Sequence, residues 1–598
     1  MRRVGRFFLY LFASIGALIT LSIAAMIVIA VTFGDEDPDL PEQIVLRLNL
    51  DRGVSDSRSD DPWRELRGDK TNYLYEIVTT LAAAETDDRV VGLAIRLGAS
   101  RISLAHAQEL RASIASFRSR GKFVMAFAQT FGSLGNATTE YYLASSADEV
   151  WMQPSGQLAL LGIGLETPFL KDALDKVGVT PEFQQRHEYK SAIELLTRNE
   201  MSTPARESLL RVVGSWMDQI VSGIAADRNL TSEIVRQLVD RSPLLAEEAK
   251  TAKLVDRFGY WEAFAQAAKV RAGTDSVELA FAYYGEKLEA PEEGGTDVAL
   301  IYGVGPIQSG DAENSPFDSE NFVAGSVAKA IDAAVDDKLI EAIILRIDSP
   351  GGSYLGSDTV RRAVIRAKEK GKPVIATMGK YGASGGYFVA MGADKVVALP
   401  GTLTGSIGVF GGKLATVDLW SKLGINWSRV GVGAHAGMWS QVFPFSPTAA
   451  ARHRAVIDFV YEDFASKAAS DRALSGGRID TVARGRVWSG KGAQRVGLVD
   501  KLGGYNAAAG LVRETLELEA GAPLNIVVLP EPKTPIERVR DAFSGGVPFM
   551  RAVAELLSGP RPDSLGTVLR HLEPVVGDTS FLRPPAGLLQ LPPFRLAP

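Results

Sequence analysis

The residues best suited to chemistry are a serine set among small residues and a glycine pair in an earlier strand-to-helix turn. The first motif is Tyr381–Tyr387 (YGASGGY), in which small neighbours let Ser384 lie at a sharp turn that opens a helix, with the Gly385 amide facing the same site. The second is Asp348–Ser353 (DSPGGS), whose bare backbone N–H groups can hold an oxyanion. Each motif alone is also typical of an ordinary turn. Together they predict a serine nucleophile beside an oxyanion hole.

A serine nucleophile needs a base, and the histidines offer no recognisable partner motif. They are His106, His187, His435, His453 and His571. The other candidate is Lys190, in the segment Tyr189–Ala192. Lysine is usually a solvated surface residue, and it can act as a base only where burial lowers its pKa. A site closed between two domains would supply that burial.

The chain contains two copies of one unit, and the candidate serine and lysine lie in different copies. Five segments of the first copy recur in the same order in the second, with a spacing that shortens steadily along the chain. The pairs are Ile44–Leu48 with Val298–Tyr302, Gly92–Leu97 with Ala342–Ile347, Gly121–Lys122 with Gly371–Lys372, Tyr141–Asp148 with Tyr387–Asp394, and Leu254–Arg257 with Leu498–Lys501. The order of the matches indicates a tandem duplication.

The two copies differ where chemistry is expected. The position of Ser384 is occupied by Thr138 in the first copy, and the position of Lys190 by Ala436 in the second. The first copy also lacks the glycine pair, since Gly98–Ser103 stands in its place. Each copy therefore lacks what the other carries, which predicts one composite site that uses Ser384 and Lys190.

Each copy alternates short β-branched strands with amphipathic helices, which predicts an α/β fold of βαβ units with a mostly parallel sheet. In the second copy we expect helices over residues 323–335 and 357–370 and strands over 342–347 and 374–378. The predicted domains are a cytoplasmic tip and anchor (1–34), a first repeat carrying the lysine (40–285), a linker (286–297), a second repeat carrying the serine (298–518) and a Pro-rich, partly disordered tail (519–598).

The amino terminus predicts one uncleaved transmembrane helix. Residues 7–33 carry no charge and are long enough to cross a hydrocarbon core of about 30 Å. Three arginines precede this run and three acidic residues follow it, so the positive-inside rule exports the rest of the chain. A removed signal peptide is the alternative, but the apolar run is longer than such signals require.

Composition excludes several classes of function. The formal net charge of -6 and the lack of a basic tract argue against a nucleic-acid partner. The chain has no cysteine, which excludes thiol catalysis, disulfides and cysteine metal sites. The glycine-rich stretch 431–436 lacks the acidic residue of a dinucleotide site, and no phosphate loop is present. We therefore expect no cofactor and no metal.

Three segments together resemble the signal peptide peptidase A (protease IV) family in its long, duplicated form: Ala383–Tyr387, Leu403–Gly408 and Tyr189–Ala192. The resemblance extends from the anchor to about residue 515. It implies a Clp protease/crotonase type of fold. It also implies a role for each site residue: Ser384 as nucleophile, Lys190 as general base, Gly352 and Gly385 as oxyanion donors, and Ser406 as the group that orients the lysine.

The same resemblance implies degradation of cleaved signal peptides and other apolar peptides by a homotetramer at the periplasmic face of the bacterial inner membrane. Two other functions fit the same fold. A crotonase-type acyl-coenzyme A enzyme is disfavoured because coenzyme A is cytoplasmic and the anchor predicts export. A non-catalytic membrane scaffold is disfavoured because both Ser384 and Lys190 are present.

Overall fold

The chain is known from a computed structural model, which describes eight ranges and two short tail strands. The ranges are residues 40–56, 71–98, 101–133, 135–273, 276–288, 294–311, 322–475 and 477–531, with the backbone of 589–590 and 595–596. The predicted membrane anchor, residues 7–33, lies outside them. Within the described ranges, none of the helices has the length and apolar character that a membrane span requires.

The first half is built on a parallel sheet flanked by helices. Its strands are β1 (Ile44–Asn49), β2 (Val54–Ser55), β3 (Asn72–Tyr73), β4 (Val90–Arg96), β5 (Phe123–Ala128), β6 (Glu149–Met152), β7 (Gln157–Leu158), β8 (Leu165–Glu166), β9 (Thr180–Arg186), β10 (Leu244–Leu245), β11 (Arg257–Phe258) and β12 (Val277–Ala280). Six of them form the main sheet, in the order β11-β6-β5-β4-β1-β12.

Long helices cover this sheet, and short ones connect its strands. They are α1 (Leu74–Thr86), α2 (Leu104–Ser119), α3 (Thr138–Ala144), α4 (Lys171–Val177), α5 (Glu194–Thr197), α6 (Thr203–Asp227), α7 (Ser232–Arg241), α8 (Ala246–Thr251), α9 (Trp261–Ala272) and α10 (Phe281–Glu286). Ser103 caps α2 by accepting a hydrogen bond from the His106 amide, and Ser202 caps α6 in the same way through Ala205.

The second half repeats this plan with a larger sheet. Its strands are β13 (Thr296–Val304), β14 (Ile307–Gln308), β15 (Phe322–Val323), β16 (Ile340–Ser349), β17 (Gly351–Gly352), β18 (Val374–Ala383), β19 (Lys395–Ala398), β20 (Leu403–Gly405), β21 (Val409–Ala415), β22 (Val487–Ser489), β23 (Lys501–Leu502) and β24 (Leu524–Leu529). The eight-stranded sheet has the path β22-β20-β18-β16-β13-β24, and off this path β19 pairs with β18 and β23 pairs with β19.

The helices of the second half follow the order of those in the first. They are α11 (Ala324–Asp336), α12 (Tyr354–Glu369), α13 (Gly385–Ala390), α14 (Val417–Lys422), α15 (Pro447–Asp471), α16 (Arg478–Val482), α17 (Gly490–Val496) and α18 (Tyr505–Thr515). The predicted helices 323–335 and 357–370 are confirmed as α11 and α12, and the predicted strands lie within β16 and β18. The α/β class with a mostly parallel sheet is confirmed.

The same internal bonds stabilise both halves. The Tyr141 hydroxyl donates to the Leu254 carbonyl at 2.7 Å, and the Tyr387 hydroxyl donates to the Leu498 carbonyl at 2.9 Å. All four residues belong to segments that the sequence matched between the copies. These equivalent bonds support the duplication directly, because they join the same matched segments in each half.

The halves share a core and one further sheet. Leu300 and Ile344 of the second half pack in the same buried cluster as Leu93 and Ile95 of the first. In addition, β9 pairs antiparallel with β21, so that Arg186 lies opposite Val409. This cross-half pairing brings the segment after β9 to the edge of the second sheet.

One strand of the second sheet lies beyond residue 518, the predicted limit of the second repeat. Strand β24 follows that limit and pairs in parallel with β13 at the edge of the sheet. Its sequence, LNIVVL, is mostly apolar. Its backbone pairs with groups of β13 that would otherwise remain unpaired at the edge of the sheet. Further along, β25 (Leu589–Gln590) pairs antiparallel with β17, and β26 (Arg595–Leu596) pairs antiparallel with β8.

Candidate active site

Ser384 lies at the turn between β18 and α13. Its backbone has φ 54° and ψ −117°, a conformation that costs a non-glycine residue about 1 kcal/mol or more. Its amide donates to the Gly405 carbonyl at 2.8 Å, which fixes the turn against the end of β20. The small neighbours are required, because a Cβ on Gly386 would lie 2.7 Å from the Ser349 carbonyl oxygen. The side chain of Ser384 is fully buried.

Lys190 reaches the same place from the first half. Lys190 follows β9, which pairs with β21. Ser406 comes directly after β20 and shortly before β21, so this pairing brings Lys190 close to Ser406. Two glycines of the second half make room for it. A Cβ on Gly485 would lie 2.4 Å from the Lys190 amide nitrogen, and one on Gly408 would lie 3.1 Å from its Cδ. Sequence reasoning missed Gly485, since nothing in the chain marks which glycine a distant lysine will contact.

The two predicted residues meet within one chain. Lys190 Nζ lies 2.7 Å from Ser384 Oγ, 2.9 Å from Ser406 Oγ and 3.1 Å from the Ser406 carbonyl oxygen. The exposed fraction of all three residues is 0%. Burial lowers the pKa of the Lys190 amine well below its ordinary value. The structure therefore places an amine whose neutral form is favoured beside a serine hydroxyl.

The glycines predicted as oxyanion donors lie side by side. A Cβ on Gly385 would be 3.1 Å from the Gly352 amide nitrogen, so the two segments are in close contact. Gly352 has φ 153°, and a Cβ there would lie 2.3 Å from the Ile307 carbonyl oxygen. Only glycine therefore fits at position 352. Gly351 and Gly352 form β17, and Gly385 is the first residue of α13.

The corresponding position in each opposite copy carries no such group. Thr138 is buried at the start of α3, where its hydroxyl donates to Asn136 Oδ1 at 2.6 Å and accepts from the Gly162 amide at 3.0 Å. Ala436 is exposed in the loop after α14. Ser384 and Lys190 therefore come together in one site, whereas their counterparts Thr138 and Ala436 lie apart from it.

One group of side chains in the described residues has the spacing of metal ligands. Asp56, His106 and Asp348 are buried, and their ligand atoms lie within 4.8 Å of one another. The Asp56 carboxylate already accepts from His106 Nε2 at 2.6 Å and from Arg346 Nε at 2.8 Å. A guanidinium bound in this position repels a divalent cation, so the group is better described as a buried ion network.

Comparison with known proteins agrees with the geometry. The family model described as "Peptidase family S49" matches residues 116–275 and 366–519. "Protease 4" of Salmonella typhi is 30% identical over 515 residues, spanning 83% of this chain and 80% of that protein. "Serine protease SPPA, chloroplastic" of Arabidopsis thaliana is 28% identical, spanning 79% of this chain and 70% of that protein.

Two further similarities cover shorter parts of the chain. "Putative signal peptide peptidase SppA" of Enterococcus faecium is 27% identical, spanning 36% of this chain and 63% of that protein. The solved structure of a ClpP1 mutant from Listeria monocytogenes covers 36% of this chain and 94% of that chain, at 17% identity and a TM-score of 0.23. The family matches lie in both halves and include Lys190 and Ser384. The chain therefore belongs to peptidase family S49 and is a serine peptidase.

Proposed function

We propose that the chain is an endopeptidase in which Ser384 is the nucleophile and Lys190 is the general base. The observation that carries the proposal is the 2.7 Å contact between Lys190 Nζ and Ser384 Oγ, made where both side chains are fully buried. A buried amine with a lowered pKa is neutral more often near neutral pH, and only the neutral amine can accept a proton.

The neighbours of Lys190 match the needs of a neutral amine. Such an amine has two N–H groups and one lone pair. Ser406 offers two acceptors, its hydroxyl and its carbonyl oxygen, at 2.9 and 3.1 Å. If both N–H groups donate to Ser406, the lone pair points to the Ser384 hydroxyl. Ser406 then orients the lysine by occupying both of its donors.

The reaction follows from these positions. Lys190 takes the proton of Ser384 as its oxygen attacks the peptide carbonyl, and the oxyanion receives hydrogen bonds from the amides of Gly352 and Gly385. The protonated lysine then gives its proton to the leaving amine. A water molecule, deprotonated by the same lysine, releases the acyl group from Ser384. No step requires a metal or a cofactor.

The substrate is proposed to be an extended apolar peptide, with cleaved signal peptides as the physiological class. Strand β17 lies next to Ser384, and an extended peptide would take the place of β25 along its edge through main-chain hydrogen bonds. The pairing of β25 with this edge supports binding in the antiparallel direction. The name of the Enterococcus faecium relative, a signal peptide peptidase, supports the physiological class.

Location and assembly are part of the proposal. The uncharged run 7–33 would anchor the chain in the bacterial inner membrane, with both halves on the periplasmic side. Signal peptides remain in that membrane after they are cut from exported proteins, so an anchored enzyme meets them where they accumulate. A homotetramer is proposed from the resemblance to the signal peptide peptidase A family.

The proposal is tested with a fluorophosphonate probe and a synthetic signal peptide. Wild-type enzyme should be labelled at Ser384 and should release fragments that mass spectrometry identifies. Labelling and cleavage should both be lost in Ser384→Ala and in Lys190→Met, whereas Thr138→Ala should retain both. Labelling that survives Lys190→Met would remove the lysine from the mechanism, and cleavage that survives Ser384→Ala would remove the serine.

A further inference from the structure

Strand β18, which leads to Ser384, contains a bulge in its pairing with β16. Ile347 of β16 pairs with Met378 of β18, but the next pair is Ser349 with Gly382. Between these pairs β16 has one residue, Asp348, whereas β18 has three, Gly379–Tyr381. This bulge ends at Tyr381, three residues before Ser384. Bulges bend a strand and redirect the side chains that follow them, and they are frequent beside active sites.

Side chains satisfy the backbone groups that the bulge removes from the ladder. Asp348 Oδ1 accepts from the Tyr381 amide at 2.7 Å, and the Thr402 hydroxyl donates to the Gly379 carbonyl at 2.7 Å. A Cβ on Gly379 would lie 2.9 Å from Asp56 Oδ2 and 3.3 Å from Asp348 Cβ. The bulge is therefore packed against the buried ion network, and Asp348 holds its Tyr381 end.

The Asp348 side chain lies in a buried environment with charged neighbours. It is buried, and its neighbours are Asp56 and His106, with Lys380 Nζ 4.0 Å from its Oδ2. Burial raises the pKa of Asp348, the nearby Lys380 opposes that shift, and the negative charge of Asp56 adds to it. A buried carboxylate is costly unless its oxygens accept hydrogen bonds, and here the Tyr381 amide supplies one.

The first half has no carboxylate at the position that corresponds to Asp348. There β4 and β5 pair in regular register through Arg96 and Phe127, and the next ladder bond joins the Leu97 amide to the Phe127 carbonyl. The residue after Leu97 is Gly98, which has no side chain to accept a hydrogen bond. The half without the serine thus lacks the carboxylate at this position.

We propose that Asp348 is a positioning residue for Ser384. Through the Tyr381 amide it fixes the bulge, and the bulge sets the position and direction of the turn that presents the Ser384 hydroxyl to Lys190. The inference rests on the proposed function, since it gives Asp348 a role only if Ser384 is the nucleophile. Asp348 touches neither substrate nor the reacting atoms.

The test compares three substitutions in the full-length enzyme. Asp348→Ala removes the acceptor, and we expect kcat to fall about 100-fold with KM changed less than about 3-fold, because a misplacement of about 1 Å at a reacting group has that effect. Asp348→Asn keeps an oxygen acceptor for the Tyr381 amide, so kcat should stay within about 3-fold of wild type. The fluorophosphonate labelling rate should follow kcat in both variants.

Asp394→Ala is the matched control. Asp394 Oδ2 accepts from the Val374 amide at 2.8 Å, so it makes the same kind of bond at the opposite end of β18. Its loss should lower the melting temperature to an extent similar to Asp348→Ala while leaving kcat near wild type. This comparison separates positioning of Ser384 from a general loss of stability.

Two results would overturn the inference. Either Asp348→Ala keeps wild-type kcat and labelling, or Asp348→Asn loses as much kcat as Asp348→Ala although both variants remain folded. Failure of the proposed function gives a different pattern, since hydrolysis would then survive Ser384→Ala, whatever residue 348 is.

Discussion

The two halves of the molecule share their framework and divide their chemistry. In each half a lysine just before a strand donates to backbone carbonyls around the end of the first helix: Lys122 donates to Ala84 and Asp87, and Lys372 donates to Asp337 and Ile340. The positions that face the site are instead complementary, because the second half supplies the hydroxyl and the first half supplies the amine. The bonds that stabilise each sheet are therefore alike in the two copies, whereas the positions that face the site differ.

A second difference concerns equivalent arginines. Arg96 of the first half forms an ion pair with Asp51 of its own half at 2.9 Å and remains partly exposed. Arg346, its counterpart, is fully buried and binds Asp56 and Glu109, both from the first half. Removing one partner of such a buried pair leaves an unpaired charge, whereas a partly exposed pair contributes little. The second arginine therefore ties the halves together near the site.

The strongest test of this division is Lys190→Met. Loss of the proposed general base should lower kcat/KM by about 10³-fold or more, because Lys190 is the group placed to take the proton of Ser384. The matched variant is Lys122→Met, which removes a framework lysine of the same half. It should cost about 1–3 kcal/mol of unfolding free energy, as its carbonyl partners lose their donors, and leave kcat/KM near wild type. Peptide hydrolysis and thermal unfolding measure the two effects.

Gly485→Ala tests whether the second half positions the lysine of the first. The new Cβ would lie 2.4 Å from the Lys190 amide nitrogen, so the lysine segment must move, and kcat should fall about 10- to 100-fold. Gly371→Ala is the control. Gly371 has φ 80°, and a Cβ there would have no atom of the described residues within 4 Å, so this variant shares only the backbone cost of about 1 kcal/mol. Equal activity in the two variants would contradict the contact.

The pH dependence should report the lysine that the first half contributes. Burial lowers the pKa of Lys190, and the base form is the deprotonated amine. Hydrolysis should therefore rise about tenfold per pH unit below that lowered pKa and level off above it, at a pH below 10.5. The rate of Ser384 labelling should show the same inflection. A flat profile from about pH 6 to 10 would contradict a titrating base.

The same pKa shift predicts a stability change with a defined sign. Between the lowered pKa of folded Lys190 and the ordinary value of 10.5, the unfolded chain binds one proton more than the folded chain. The free energy of unfolding should therefore rise with pH across that window, and Lys190→Met should remove this contribution. Chemical denaturation of both proteins at several pH values measures it.

The smallest effects should be equal in the two halves. Tyr141→Phe and Tyr387→Phe each remove one buried hydroxyl that donates to a backbone carbonyl, at 2.7 and 2.9 Å. Each should cost about 1–2 kcal/mol of unfolding free energy. A large difference between the two variants would show that the framework has diverged along with the site. Thermal unfolding of both proteins provides the comparison.

Much of this organisation could be predicted from the sequence, because the duplication provided an internal control. Comparing the copies singled out Ser384 and Lys190, and the alternation of strands and helices located β16, α12 and β18. The structure brings these two residues together, while their roles remain predictions. The ends of the strands were not predictable: β16 and β18 continue into polar and small residues, where pairing with neighbours overrides local propensity.

Contacts between distant segments could not be predicted. Asp56 and Arg346 are separated by 290 positions, and nothing in the sequence indicates that they pair. Asp348 was noticed only as part of the turn motif, since a bulge depends on how two strands align. Strand β24 was assigned to the tail because the helical and strand alternation of the repeat had already ended before it.

The pairing of β9 with β21 also sets when the enzyme can first act. Lys190 precedes Ser384 by 194 positions, and it leaves the ribosome well before the glycines that accommodate it. Until the later strands have folded onto the earlier ones, the amine is hydrated and charged and the hydroxyl has no proton acceptor. With Lys190 as the proposed base, the chain gains peptidase activity only when folding is complete, so an unfinished chain does not cleave itself or its neighbours.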